Sequence, residues 1–280
     1  MHRNTRLRSA GIALVVGLIL AGCAGQKPKT TIAYEERPVD LLYATGAENL
    51  DRGRWNEAVA YFKEVERQHP YSEWSRRSMV MTIYAYYTGN RYEDTIATSE
   101  RFISLYPGSP MAAYAHYMKA VSYFEQIVDV GRDQAATGQA QLALNEVIQR
   151  YPTSEYARDA RLKLDMVNDQ LAGKEMEIGR WYLRQGHTLA AVGRFRKVID
   201  SYQTTTHTPE ALYRLVEANL TLGLADEATR NGAVLGHNFP NSVWYSDAYS
   251  LLTNKGLQPI NAPEPKEKKR GFLKLPRLFG

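Results

Sequence analysis

From Gly53 to Pro70 the chain reads GRWNEAVAYFKEVERQHP, a unit whose landmarks return four more times. It opens on a glycine, sets Ala58, Phe62 and Val65 at spacings of four and three, and stops at His69-Pro70. The stop recurs at Tyr106-Pro107, Tyr151-Pro152, Tyr202-Gln203 and Phe239-Pro240. Twelve residues before the second residue of each stop stand Ala58, Thr95, Ala140, Ala191 and Ala228. Eight before come Phe62, Ser99, Leu144, Phe195 and Gly232, and five before come Val65, Phe102, Val147, Val198 and Leu235. Apolar positions three and four apart are the buried stripe of an amphipathic helix. The small residue lets that helix approach its neighbour, the bulky one fills the groove between them, and proline ends it. Gly53, Gly89, Gly186 and Gly223 mark the turn into this helix in four of the five units.

After the stops the chain reads Pro70-Tyr71-Ser72, Pro107-Gly108-Ser109, Pro152-Thr153-Ser154 and Pro240-Asn241-Ser242. A serine there caps the first free amides of the next helix, worth typically about 1 kcal/mol. The small, bulky and proline positions resemble the tetratricopeptide pattern, and Gly46 and Gly179 fall where its first-helix glycine belongs. The stops are 37, 45, 51 and 37 residues apart. Val128 to Gly138 accounts for the 45 as a longer loop, and Ser154 to Gln185 keeps a helical rhythm interrupted only by Gly173. The expected fold is all-α, a right-handed α-solenoid of about five tetratricopeptide-like helix pairs. Repeats 1–3 occupy residues 38–152, and a long connecting helix with repeats 4–5 occupies 153–258.

Ahead of the repeats, Arg3, Arg6 and Arg8 precede an uncharged apolar run from Gly11 to Leu20 that ends in Leu20-Ala21-Gly22-Cys23. A basic start, a short apolar stretch and small residues before a cut make a secretory signal. Small residues directly before the only cysteine resemble the lipobox of bacterial lipoproteins. That resemblance implies cleavage after residue 22, with an S-diacylglycerol and an N-acyl chain on Cys23 as covalent lipid and no other cofactor. Three acyl chains make a durable anchor where one binds marginally. Ala24 in place of an aspartate implies, by the same resemblance, sorting to the outer membrane. Residues 23–37 then read as a flexible tether.

Composition excludes several classes. With 44% hydrophobic and 23% charged residues the chain is not disordered overall, and one cysteine makes no disulfide framework. The net charge of +5 suggests nucleic acid, but the basicity lies at the ends. Without residues 1–22 the count is 32 Lys and Arg against 30 Asp and Glu, and residues 263–280 alone carry +4. The body is slightly acidic and offers no broad phosphate-binding face, so no nucleic-acid partner is expected. The tail, residues 259–280, alternates bases with apolar groups and suits a lipid surface or a partner groove. Six scattered histidines give no metal-ligand spacing, and no nucleophile elbow or phosphate loop occurs, so an enzyme is not expected.

A stack of helix pairs has a concave face lined by first helices. Tyr43, Tyr84, Tyr86, Tyr87, Tyr114, Tyr117 and Tyr123 crowd those helices, where rings give rigid contact area and hydroxyls serve a peptide backbone. Asp51, Arg52 and Arg91 at the turns are placed to select charge.

With a lipoprotein signal and five such units, the chain resembles the BamD family of outer-membrane assembly lipoproteins. Ile83-Tyr84-Ala85-Tyr86-Tyr87, Arg101-Phe102-Ile103, Asp129 with Arg132-Asp133, Tyr156-Ala157-Arg158-Asp159-Ala160 and Val192-Gly193-Arg194 carry that resemblance. It implies a scaffold anchored by lipid at the periplasmic face of the outer membrane. Its implied partners are the POTRA region of a BamA-type barrel subunit, accessory lipoproteins and unfolded outer-membrane proteins. Tyr43, Asp51, Tyr86, Tyr87 and Arg91 would receive the precursor, and Arg194, Asp129, Arg132 and Asp133 would hold partners. Arg194 matches a family arginine that pairs with an acidic residue of the barrel subunit. A tetratricopeptide lipoprotein adaptor for cell-wall or division enzymes remains the alternative.

Overall fold

A computed structural model describes residues 35–129 and 134–265, and all that follows concerns these residues. They carry eleven α-helices and no strand: α1 Val39–Asp51, α2 Trp55–Gln68, α3 Glu73–Thr88, α4 Tyr92–Leu105, α5 Ala112–Phe124, α6 Ala135–Arg150, α7 Glu155–Arg184, α8 Thr188–Ser201, α9 Thr208–Thr221, α10 Ala225–Asn238 and α11 Val243–Thr253. Two compact units divide between Met81 and Thr82, inside α3. All fifteen repeat landmarks are buried, so the stripe read from the sequence is the core.

In the first unit α1 packs on α2, and Gly46 lies under the Phe62 ring. A Cβ at Gly46 would sit 2.7 Å from that ring, so the contact requires glycine. Tyr43 closes the same core, its ring 5.6 Å from Phe62 and edge-on to Trp74 at 5.1 Å. The extended residues before α1 are tied to the end of α2 by Gln68. Its amide donates to the Glu35 carbonyl at 2.8 Å, and its carbonyl oxygen accepts the Arg37 amide at 3.2 Å.

The second unit stacks its helices in chain order from α4 to α10, each packed on the next, with α7 also touching α5 and α11 closing against α9 and α10. Three buried clusters run through it. Ala120, Leu144 and Val167 centre the first, Met176, Phe195 and Leu215 the second, and Leu212, Leu235 and Tyr245 the third. The helix α7 is continuous for 30 residues, as its rhythm implied. Its first half belongs to the first cluster and its second half to the second, so no gap in packing marks residue 153. Gly173 is buried within it.

The helix ends repeat as closely as the core. At His69, Tyr106, Tyr151, Tyr202 and Phe239 the backbone takes φ between −134° and −129°, and each amide still bonds the carbonyl four residues back. The hydroxyls of Ser72, Ser109, Ser154 and Ser242 accept the amides of Ser75, Met111, Ala157 and Trp244 at 3.0–3.2 Å. In the fourth unit, which lacks Pro-x-Ser, Thr205 takes the serine's place, its amide and hydroxyl both donating to the Tyr202 carbonyl.

Two expectations are corrected. The turn position read as Gly89 is one residue late in the structure: the left-handed residue is Asn90, at φ 55°, matching Gly53, Gly186 and Gly223 at 69°, 77° and 76°. All four close the same Schellman turn, with Arg54, Arg91, His187 and Leu224 donating to the carbonyls of Asn49, Tyr86, Tyr182 and Asn219 at 2.8–2.9 Å. Asparagine tolerates this conformation, and the Tyr92 hydroxyl holds its side chain at 3.1 Å. The loop read as Val128 to Gly138 ends earlier, because α6 starts at Ala135. Thr137 donates to the Gln134 side chain at 3.0 Å there, and Gly138, within the first turns of α6, has nothing within 4 Å of an added Cβ.

Candidate functional site

Three successive first helices of the second unit present polar aromatic pairs at i, i+3. They are Tyr84 and Tyr87 on α3, Tyr114 and Tyr117 on α5, and Tyr156 with Asp159 on α7. That spacing puts both members of a pair on one helix face. Tyr156 joins them, with ring centroids 5.9 Å from Tyr114 and 5.2 Å from Tyr117. The Tyr117 hydroxyl donates to Asp159 at 2.6 Å, and Lys163 pairs with the same carboxylate at 2.9 Å. The Tyr87 hydroxyl donates to Glu125 at 3.3 Å, and its ring lies 5.9 Å from Tyr92. Tyr84 is exposed, and the other five are half-buried.

This environment fixes protonation. Burial, then Glu125, pushes the Tyr87 hydroxyl up to about 12. Burial raises Tyr114 further, with Tyr156, Tyr84 and Tyr87 adding to it, and raises Tyr117 with help from Asp159. These phenols remain donors across the physiological range. Burial alone would raise Asp159, but bonds from Tyr117 and Lys163 outweigh it and hold the carboxyl low. The surface therefore offers apolar ring faces, with the hydroxyl oxygens of Tyr87 and Tyr117 left as acceptors beside fixed carboxylates, which suits an extended peptide's amides and aromatic side chains.

Among the residues singled out from sequence, Tyr87 lies on this face. Tyr86 does not: it is only 4% exposed and belongs to the core, with the Arg91 guanidinium 4.6 Å above its ring. Arg91 also binds Asp94 through Nε at 2.8 Å. Tyr43 is half-buried in the first unit beside Phe62 and Trp74, and Asp51 is exposed at the end of α1. Asp129 is exposed, and its carbonyl accepts the Gln134 side chain at 3.3 Å. Cys23, Arg132 and Asp133 lie outside the described residues. Tyr156, Asp159, Lys163 and Glu125 were not assigned to the face in advance. The i, i+3 spacing repeated on successive first helices was the available signal for Tyr156 and Asp159.

Arg194 sits in a second polar centre. Its guanidinium and the Lys197 ammonium grip the buried Glu175 carboxylate at 3.0 and 2.5 Å. Burial would raise Glu175, yet these bonds hold it below its usual value. Arg194 uses Nη1 for this contact, also interacts with Tyr182, and its side chain is 39% exposed.

No helix among the described residues is long and apolar enough to cross a membrane. The family of outer membrane lipoproteins designated YfiO matches residues 35–235. A protein of Caulobacter vibrioides named outer membrane protein assembly factor BamD is 67% identical over 261 residues, covering 93% of this chain and 86% of that protein. The Rickettsia prowazekii protein of the same name is 44% identical, covering 89% and 98%, and that of Neisseria meningitidis serogroup A is 32% identical, covering 85% and 94%. With all-α repeats, buried landmarks and relatives this similar along nearly its whole length, the chain belongs to the BamD family of outer membrane protein assembly factors.

Proposed function

We propose that the chain is a non-catalytic scaffold of outer-membrane protein assembly, tethered to the periplasmic face of the outer membrane through acylated Cys23. Its tyrosine face receives extended, aromatic-rich segments of unfolded barrel precursors. The centre around Arg194 docks the POTRA region of a BamA-type barrel subunit, and accessory lipoproteins join the same complex. The observation that carries this reading is the row of exposed Tyr84 and half-buried Tyr87, Tyr114, Tyr117 and Tyr156, the last four with hydroxyls that burial raises above the ordinary phenol value. A partly exposed arginine suits a partner carboxylate, since its planar fork binds two oxygens.

Photocrosslinkers placed at Tyr84 and Arg194 in the native host test both halves. Nascent porins should be captured at the first site and the barrel subunit at the second. Capture of cell-wall or division enzymes at both would replace this reading with an adaptor role. Arg194→Glu should weaken co-purification with the barrel subunit; because it also sets a second carboxylate beside buried Glu175, the thermal midpoint should fall, and a helical circular-dichroism spectrum at the assay temperature shows that the chain is still folded. Unchanged co-purification at moderate salt removes the docking role of Arg194.

A further inference from the structure

A hollow of about 650 Å³ opens in the second unit between the C-terminal end of α5, the middle of α7 and the turn from α8 to α9. Phe124, Ile127 and Met166 give it apolar walls, and Glu125, Asp165 and Asp169 place carboxylates around it. Asp165, Met166, Asp169 and Gln170 share one face of α7 through their i, i+4 spacing. Asp169 accepts the Thr206 amide at 3.0 Å and its hydroxyl at 2.7 Å, which fixes the turn at the rim. Asp165 is exposed and forms no ion pair within the described residues. The Gln170 carbonyl oxygen is buried without a hydrogen-bond donor. Lys163, whose ammonium lies 5.5 Å from the Phe124 ring, is paired with Asp159. The hollow thus asks for a ligand with cations and N–H donors interleaved with apolar side chains.

One segment of this chain has that chemistry. Residues 266–280, KEKKRGFLKLPRLFG, carry six bases and one acid among Phe272, Leu273, Leu275, Leu278 and Phe279. The segment starts close by, because the Tyr245 hydroxyl donates to the Pro263 carbonyl and Tyr245 shares a buried cluster with Leu212 of α9. Leu212 lies six residues beyond Thr206 at the rim, at most about 13 Å of chain. Fifteen extended residues reach about 50 Å, far more than the path requires. We propose that residues 266–280 dock into this hollow, their cations against Asp165, Asp169 and Glu125 and their apolar groups over Phe124 and Met166.

The test uses the full-length chain purified in detergent, with p-benzoylphenylalanine at the exposed rim position Thr204. Irradiation should give an intramolecular crosslink to residues 266–280, identified by mass spectrometry, at a yield independent of protein concentration. Asp165→Lys should cut that yield by about fivefold, the scale of one exposed ion pair. The tail variant K269E/R270E should do the same without touching the folded body. A crosslink to another segment, a yield that rises with concentration, or a yield indifferent to the tail variant overturns the proposal. Precursor is absent from this sample, so the outcome is independent of whether the tyrosine face binds one.

Discussion

Among single residues, glycine contacts set the tightest constraints. A Cβ at Gly179 would meet the Phe195 ring even more closely than one at Gly46 meets Phe62. Gly179→Ala should destabilise the chain by about 1–3 kcal/mol through overpacking. Gly193, exposed on α8 with nothing within 4 Å of an added Cβ, provides the contrast. Gly193→Ala should be neutral or stabilising by up to about 1 kcal/mol, because alanine favours the helix. Urea unfolding of both variants checks the pair. Glu175 sets the acid response. Its folded carboxyl titrates below the ordinary 4.5, so its contribution to stability is complete above that value and disappears as pH falls through the folded value. Relative to Glu175→Gln, the native chain should lose its advantage only below about pH 4.5, in thermal midpoints measured from neutral to acid. Equal midpoint differences at all pH values would mean that the ion cluster adds nothing.

At the level of the helix, caps and volumes explain why five unequal segments adopt one geometry. Ser154→Ala removes the acceptor of the Ala157 amide at the start of α7 and should cost about 1 kcal/mol, read as a lower thermal midpoint. Gly46 and Gly179 precede Phe62 and Phe195 by sixteen residues, whereas buried Ile83 and Val216 precede Ser99 and Gly232 by the same interval. At Gly46 and Gly179 a glycine faces a phenylalanine ring, whereas Gly232 faces Leu252 and Pro259, so the small position is filled from a different neighbour in the last unit. The stops, the serine caps and the long α7 were legible because local hydrogen bonding and apolar spacing write them directly into the chain. The left-handed Asn90 and the early start of α6 were not. The first depends on the exact residue at which α3 unwinds into its Schellman turn, and the second on the Gln134–Thr137 contact, neither of which apolar spacing reports.

For the molecule, function is distributed over a surface. The tyrosines of α3, α5 and α7 are far apart in sequence, and only stacking brings Tyr156 to Tyr114 and Tyr117. Tyr84→Ala should weaken binding of an unfolded barrel precursor by about tenfold at an unchanged thermal midpoint, because aromatic anchors carry much of such an interface. Tyr86→Ala should instead lower stability by about 3–5 kcal/mol, the usual scale for a buried aromatic. Precursor binding by fluorescence anisotropy alongside calorimetry separates the two. Equal loss of binding with both variants at retained fold would redraw the face.

By itself the sequence determined the helices, their order and their buried stripes, because apolar spacing, helix stops and caps act over a few residues. The resemblance to the BamD family was likewise carried by short motifs along the chain. Tertiary structure alone decided which tyrosines share a surface, that Tyr86 is core, and that Arg194 and Lys197 converge on Glu175. Those outcomes follow from helix crossings, in which a glycine under a phenylalanine ring sets how closely two helices approach and thereby which distant side chains meet.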